Sequence, residues 1–393
     1  MRTTAVGLVA CASIWWWIYR RRRRDVHLSK TESSKKLTRP VLDREEVRRS
    51  LLGRHYRETL GDRPEVSLLP SYDDLNFLVV SEDRKKYVLK IFSSRRGCAK
   101  SLLMENAAMR HIAEVSGSAV AIPRIVGADR GSSSGPLKSD GIVTYTSLQE
   151  SIPYYVRLLT FVPGRLWAEL SPSEVSNGLL RDLGRRLGHM DKALETFDHE
   201  AAHRLSEWDL SCSVSEGFKC AKYIRNAEDR AVARAALSDY QRRVAPVHER
   251  LRWRVIHGDA NDYNICVEGE RVSGIFDFGD MVYSPLVHNL AIAIAYACMR
   301  CDAPVEAATK ILAGYLEFLP LTEEEIGVLY WCVRARLAQS VCKSAHSRSL
   351  EPNNAYLGVS ERNAWVLLKA FGLQGYHSTT KAFRIVAACR RDV

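Results

Sequence analysis

Residues 255–280 read Val-Ile-His-Gly-Asp-Ala-Asn-Asp-Tyr-Asn-Ile-Cys-Val-Glu-Gly-Glu-Arg-Val-Ser-Gly-Ile-Phe-Asp-Phe-Gly-Asp. The stretch holds an aspartate, Asp259, then an asparagine, Asn264, and then a second aspartate, Asp277, followed by Phe-Gly. These are the parts that phosphoryl transfer requires, because there a protein's work is positioning and charge neutralisation rather than covalent chemistry. Asp259 is expected to orient an acceptor hydroxyl and take its proton. Asn264 and Asp277 are expected to supply oxygen ligands to Mg2+. A tight turn at His-Gly-Asp and a strand exit at Asp-Phe-Gly would each explain one triplet. Neither explains their order, nor the apolar run of Val272, Ile275 and Phe276, which reads as a hairpin strand closed near Gly269 and leading to Asp277.

The spacing resembles the catalytic loop and metal-binding triplet of protein kinases, with His257-Gly258-Asp259 where those have His-Arg-Asp. Glycine there marks the aminoglycoside phosphotransferase (APH) family of small-molecule kinases, which the chain resembles over roughly residues 45–371. Three further phrases resemble the hydroxylysine kinase branch of that family. They are Ser71-Tyr72-Asp73-Asp74 with Asn76-Phe77, the run Val156 to Gly164, and the polar and aromatic cluster Phe197 to Leu210. The resemblance implies an α+β fold of protein-kinase type, with a small antiparallel-sheet lobe carrying one helix and a larger, mostly helical lobe. It also implies a nucleotide donor, GTP or ATP, with Mg2+, and as acceptor the hydroxyl of an amino acid or amino alcohol, foremost 5-hydroxy-L-lysine.

Carried over residue by residue, Lys90 in the alternating strand Tyr87 to Phe92 matches the lysine that contacts the α- and β-phosphates. That lysine needs an ion pair with a glutamate on the next helix, read here over about 98–115 with Glu105 as its first acid. The loop before the second strand departs from the phosphate-covering pattern in having no glycine, and within it the resemblance assigns Ser71 and Tyr72 to the nucleotide. Pro163-Gly164 breaks the strand pattern where the hinge belongs. In the cluster that follows, Glu207, Asp209 and, from beyond the metal triplet, Asp280 are expected to meet a substrate ammonium, with Trp208 packing its methylenes.

Length and composition agree. A chain of 393 residues with 46% apolar and 26% charged residues is globular and long enough for two lobes. Of the net charge of +11, Arg2 and Arg20 to Arg24 account for six, leaving +5, so nucleic-acid binding is not indicated. Ten cysteines stand without a framework, the pattern of a reducing compartment. The reading divides the chain into an apolar segment with an arginine cluster (1–24), a linker (25–42), an N-lobe (43–162) and a C-lobe (163–393). Ala5 to Tyr19 is apolar and ends in aromatic residues before five arginines, a candidate membrane anchor through residues 5–19 that would leave the catalytic domain cytoplasmic. A mitochondrial presequence is the alternative. The rival functions are another APH-type kinase acting on choline, ethanolamine, homoserine or an aminoglycoside, and a membrane-tethered inactive nucleotide-binding scaffold. A protein kinase is disfavoured, because Asp-Phe-Gly is followed almost at once by a helix, leaving no room for an activation loop.

Overall fold

The computed structural model describes residues 40, 42–71, 74–93, 98–117, 119–130, 138–147, 153–350 and 361–391. Within the compact unit of residues 39–393, the first half is an antiparallel sheet. Its strands are β1 (Glu65–Leu69), β2 (Leu75–Val80), β3 (Lys86–Ser93), β4 (Ile125–Val126), β5 (Val143–Thr146) and β6 (Pro153–Thr160). The order is β1-β2-β3-β6, with β4 and β5 both pairing with β6. Alternation makes the sheet: Leu75, Phe77 and Val79 are buried on one face of β2 and their neighbours half-buried on the other. That buried face meets Val47, Leu51, Leu52, Tyr56 and Leu60 from the helical turns between Glu46 and Leu60, whose apolar residues recur at helical spacing. Between β3 and β4 runs α1 (Cys98–Ser116), the one helix expected in this lobe.

After β7 (Arg165–Leu166) the chain becomes helical. The helices α2 (Asn177–Ala193), α3 (Ser213–Ala221) and α4 (Ala227–Arg243) precede β8 (Trp253–Ile256). Then come the hairpin β9 (Ile265–Glu268) and β10 (Arg271–Ile275), strand β11 (Val282–Pro285) and α5 (Leu286–Ala297). Gly269 closes the hairpin at φ +58°, as read. Every residue of α5 is buried, which accounts for its being apolar all round. The remaining helices are α6 (Pro304–Tyr315), α7 (Glu323–Leu350), α8 (Glu361–Gln374) and α9 (Tyr376–Arg391).

The amphipathic spacing of the C-terminal sequence predicts helices over 303–319, 322–346 and 355–371, which the structure realises as α6, α7 and α8; α9, which inserts Phe383 and Ala387 into the large core, is additional. The end of α6 falls early because the chain turns at Leu316 to Leu319 before the Thr322–Glu325 cap of α7. Among the described residues no helix is long and apolar enough to cross a membrane. The expected anchor at residues 5–19 lies outside the described residues.

Candidate active site

The catalytic-loop sequence folds as it does for three local reasons. Gly258 takes φ +78°, and a Cβ there would lie 2.6 Å from the Asp280 carbonyl oxygen, so arginine could not replace it without displacing backbone. Its N–H donates to Oδ1 of Asn289 at 3.1 Å, and Asn289 in turn donates to Asp191 at 2.6 Å. His257 is fully buried; its Nδ1 accepts from the Asp259 N–H at 3.3 Å, so Nε2 carries the proton and donates to the Phe276 carbonyl at 3.1 Å. Burial holds the His257 pKa below its ordinary value, which keeps the ring neutral in that role. One buried imidazole thus ties the loop to the strand exit beside Asp277.

The three expected residues meet there. Oδ2 of Asp259 accepts from the side-chain amides of Asn261 and Asn264 at 2.8 and 2.9 Å, and Asn264 also donates to the Asp259 carbonyl at 2.9 Å. The Asn264 nitrogen is thereby committed, and it is the Oδ1 of this residue that could serve a ligand. Asp277 stands in the left-handed region at φ +65°, a conformation a non-glycine residue rarely adopts, and its side chain remains 44% exposed. Its Oδ1 accepts from Nζ of Lys90 at 2.9 Å, so β3 of the sheet reaches the metal triplet directly. The Lys90 charge holds the Asp277 carboxyl below the usual range. Burial of Lys90 opposes its charge, but Asp277 and Asp74, at 2.9 and 3.9 Å, outweigh it and keep the ammonium above the ordinary lysine value. A carboxylate and an amide oxygen suit a hard cation that completes its shell with water and nucleotide phosphate, so the donor set fits Mg2+.

One expected pair is rearranged. Glu105 is 3% exposed and its carboxylate is ion-paired with Arg157, not Lys90. Arg157 stands directly across the sheet from Lys90, and its forked donors hold Glu105 together with Oδ1 of Asn106 at 3.0 Å. Ser71 folds back on its own turn, its Oγ donating to the Asp74 carbonyl at 2.6 Å, while Tyr72 lies outside the described residues.

On the acceptor side three assignments change. Asp209 is 5% exposed, caps the short turn Leu210–Cys212, and accepts from Ser211 N at 3.1 Å and Ser284 Oγ at 2.7 Å; it holds the loop together instead of meeting a substrate ammonium. The Glu207 carboxylate pairs with Lys343 of α7 at 2.7 Å and is largely solvent-exposed. Trp208 packs as an aromatic wall, but against Lys343 Nζ at 3.9 Å and the Arg336 guanidinium at 5.2 Å. Asp280 is the acid of the set that faces Asp259, and burial together with that neighbouring charge pushes its carboxyl up to about 7. Sequence reasoning missed Arg336, whose Nη2 donates to Oδ1 of Asp259 at 2.8 Å. The readable signal was a cation set among the buried Val333, Leu337 and Val341 of a long helix.

This arrangement, a lysine on a sheet strand joined to a metal triplet beside a hydrogen-bonded aspartate, is that of a phosphotransferase. A profile described as the phosphotransferase enzyme family (APH) matches residues 65–324, and the chain belongs to that family. It is a small-molecule kinase, using a nucleotide and a divalent metal. Among named proteins it is similar to hydroxylysine kinase of Mus musculus, 29% identical over 325 residues covering 77% of this chain and 82% of that one. It is likewise similar to hydroxylysine kinase of Xenopus laevis, 30% identical over 334 residues covering 80% and 86%. In fold it is similar to a microcompartment-associated aminopropanol kinase, with a TM-score of 0.62 at 17% identity over 86% of this chain and 100% of the other. It is similar too to the amicoumacin kinase hAmiN, with a TM-score of 0.61 at 16% identity over 84% and 94%.

Proposed function

We propose that the protein transfers the γ-phosphoryl group of GTP to the hydroxyl of 5-hydroxy-L-lysine, with Mg2+ as the metal. The observation that carries the reading is the contact of Lys90 with Asp277 and of Asn264 with Asp259, the two pairs being tied by the Phe276 N–H donating to the Asn264 carbonyl at 3.0 Å. Lys90 exchanges its contact with Asp277 for the α- and β-phosphates, and Asn264 and Asp277 hold the metal, which supplies charge neutralisation at the phosphates. Asp259 orients the acceptor hydroxyl and takes its proton. Asp280, beside it, receives the substrate's ammonium, which lies one carbon from the reacting hydroxyl in 5-hydroxylysine. The acceptor assignment draws on the similarity to hydroxylysine kinases over more than four-fifths of their length.

The test is phosphoryl transfer from GTP and from ATP to a panel of 5-hydroxylysine, choline, ethanolamine, homoserine and an aminoglycoside, read by the mass of the product. Turnover with 5-hydroxylysine, faster from GTP, is expected. Turnover with another acceptor alone removes the substrate assignment, and faster transfer from ATP removes the donor. The reading extends to the N-terminus, where residues 5–19 anchor the catalytic unit on the cytosolic face of a membrane. Deleting residues 1–24 is then expected to move the protein to the soluble fraction with its activity kept, and unchanged fractionation removes the anchor.

A further inference from the structure

Arg336 on α7 takes no part in the chemistry described above, yet its side chain is 1% exposed. Burying a guanidinium costs several kcal/mol unless partners compensate it, so its partners say what it is for. Nη2 donates to Oδ1 of Asp259 at 2.8 Å, and Nη1 donates to the Trp208 carbonyl at 2.9 Å. The guanidinium is fixed by the rings of Trp208 and Tyr296, at 5.2 and 5.4 Å. Farther along the same helical stripe, Gln339 donates to the Glu207 carbonyl at 3.0 Å and Lys343 to the Glu207 carboxylate at 2.7 Å. Three side chains of α7 therefore clamp residues 207–208, and one of them also holds Asp259.

The hydrogen bonds also distinguish the two oxygens of Asp259. Oδ2 already accepts two amide hydrogens, from Asn261 and Asn264, which uses both its lone pairs. A proton from an acceptor must be taken at Oδ1, the oxygen that Arg336 orients.

We infer that Arg336 is a positioning residue: it aims Oδ1 of Asp259 at the acceptor hydroxyl and sets that oxygen in register with the 207–208 segment that α7 clamps. The inference rests on the reading of Asp259 as the proton acceptor. Lysine cannot substitute, because one ammonium cannot bridge Oδ1 and the Trp208 carbonyl while stacking between two rings.

The test compares the full-length wild type with Arg336→Lys and Arg336→Gln. The acceptors are paired, 5-hydroxylysine with its decarboxylated diamino-alcohol counterpart and homoserine with aminopropanol, and basal nucleotide hydrolysis, Mg-nucleotide affinity and Tm are measured alongside. Both variants are expected to lose about 100-fold in kcat, the scale of a misplaced catalytic group. The loss should be equal for both members of any pair turned over, with acceptor KM and Mg-nucleotide affinity little changed. A loss confined to the KM of the carboxylated acceptors overturns the inference and makes Arg336 a substrate ligand. Losses of affinity and Tm in step with kcat overturn it in favour of a purely structural pair. Should the Gln variant not fold, the Lys variant, which keeps the buried charge, decides. Basal hydrolysis uses water as acceptor and is expected to fall by the same factor. If every acceptor fails in the wild type while hydrolysis still depends on Arg336, the substrate assignment fails and the positioning role stands; hydrolysis unaffected by the substitutions overturns the positioning role.

Discussion

Arg157 and Arg336 are two buried cations with unlike duties: the first holds a glutamate inside the small lobe, the second the carboxylate at the centre of the cleft. Removing Arg157 leaves Glu105 buried and uncompensated, so Arg157→Met is expected to lower stability by about 3–5 kcal/mol. The change is measurable as a fall in the denaturant midpoint at unchanged slope, and a variant within about 1 kcal/mol of wild type would contradict the pairing. Asp259, Asn264 and Asp277 were legible in the sequence because short loops set their relative positions: a turn spans Asp259 to Asn264, and one hairpin joins Asn264 to Asp277, whereas Lys90, 187 positions from Asp277, was read from the resemblance of its strand. The arginines were not, since Arg157 meets a residue 52 positions away and Arg336 one 77 away, and nothing local encodes such contacts. Asp209 was misread for a related reason. An aspartate looks the same in sequence whether it faces a ligand or caps its own turn.

Between elements, the contact that shapes the site is the crossing of α2 and α6. A Cβ on Gly184 would fall 1.9 Å from the Ile311 carbonyl oxygen, and one on Gly314 would fall 2.0 Å from that of Arg181, so the two backbones meet at glycines. The crossing sets Tyr315 against Asp191, whose Oδ2 accepts its hydroxyl at 2.8 Å while Oδ1 accepts from Asn289, the residue that positions Gly258. Burial pushes the Asp191 carboxyl up to about 7, against the hydrogen bonds from Tyr315 and Asn289. Between about pH 4 and about pH 7 the folded protein therefore keeps a proton that the unfolded chain has lost, so stability falls as pH rises through that window and levels off above it. Asp191→Asn, neutral throughout, is expected to make this fall shallower in urea unfolding measured from about pH 5 to about pH 8. An unchanged slope would contradict the assignment. At this scale the spacing of Leu179, Leu183, Leu187 and Met190 made α2 legible and the unbroken apolar run of α5 made that helix legible, whereas α9, which packs Phe383, Ala387, Tyr376 and Val386 on the core, escaped because a single glycine, Gly375, separates it from α8.

Taken whole, the molecule brings a sheet that carries Lys90 against a helical body that carries the catalytic loop and metal triplet. The kinase architecture was legible because two short motifs in one order admit few folds. The packing of α7 against the acceptor loop was not, since it depends on where a long helix lies after the whole chain has folded. On the proposed reading the architecture separates two tasks: holding the nucleotide falls to Lys90, Asn264 and Asp277, and activating the acceptor falls to Asp259. Asp259→Asn isolates them, because it keeps size while removing the group that takes the proton, although its amide retains only one of the two oxygens that accept hydrogen bonds here. Measured together on the full chain, Mg-nucleotide affinity is expected to stay within about 2-fold of wild type and turnover of 5-hydroxylysine to fall about 100-fold or more. Retained turnover, or a loss of nucleotide affinity as large as the loss of turnover, would contradict the account.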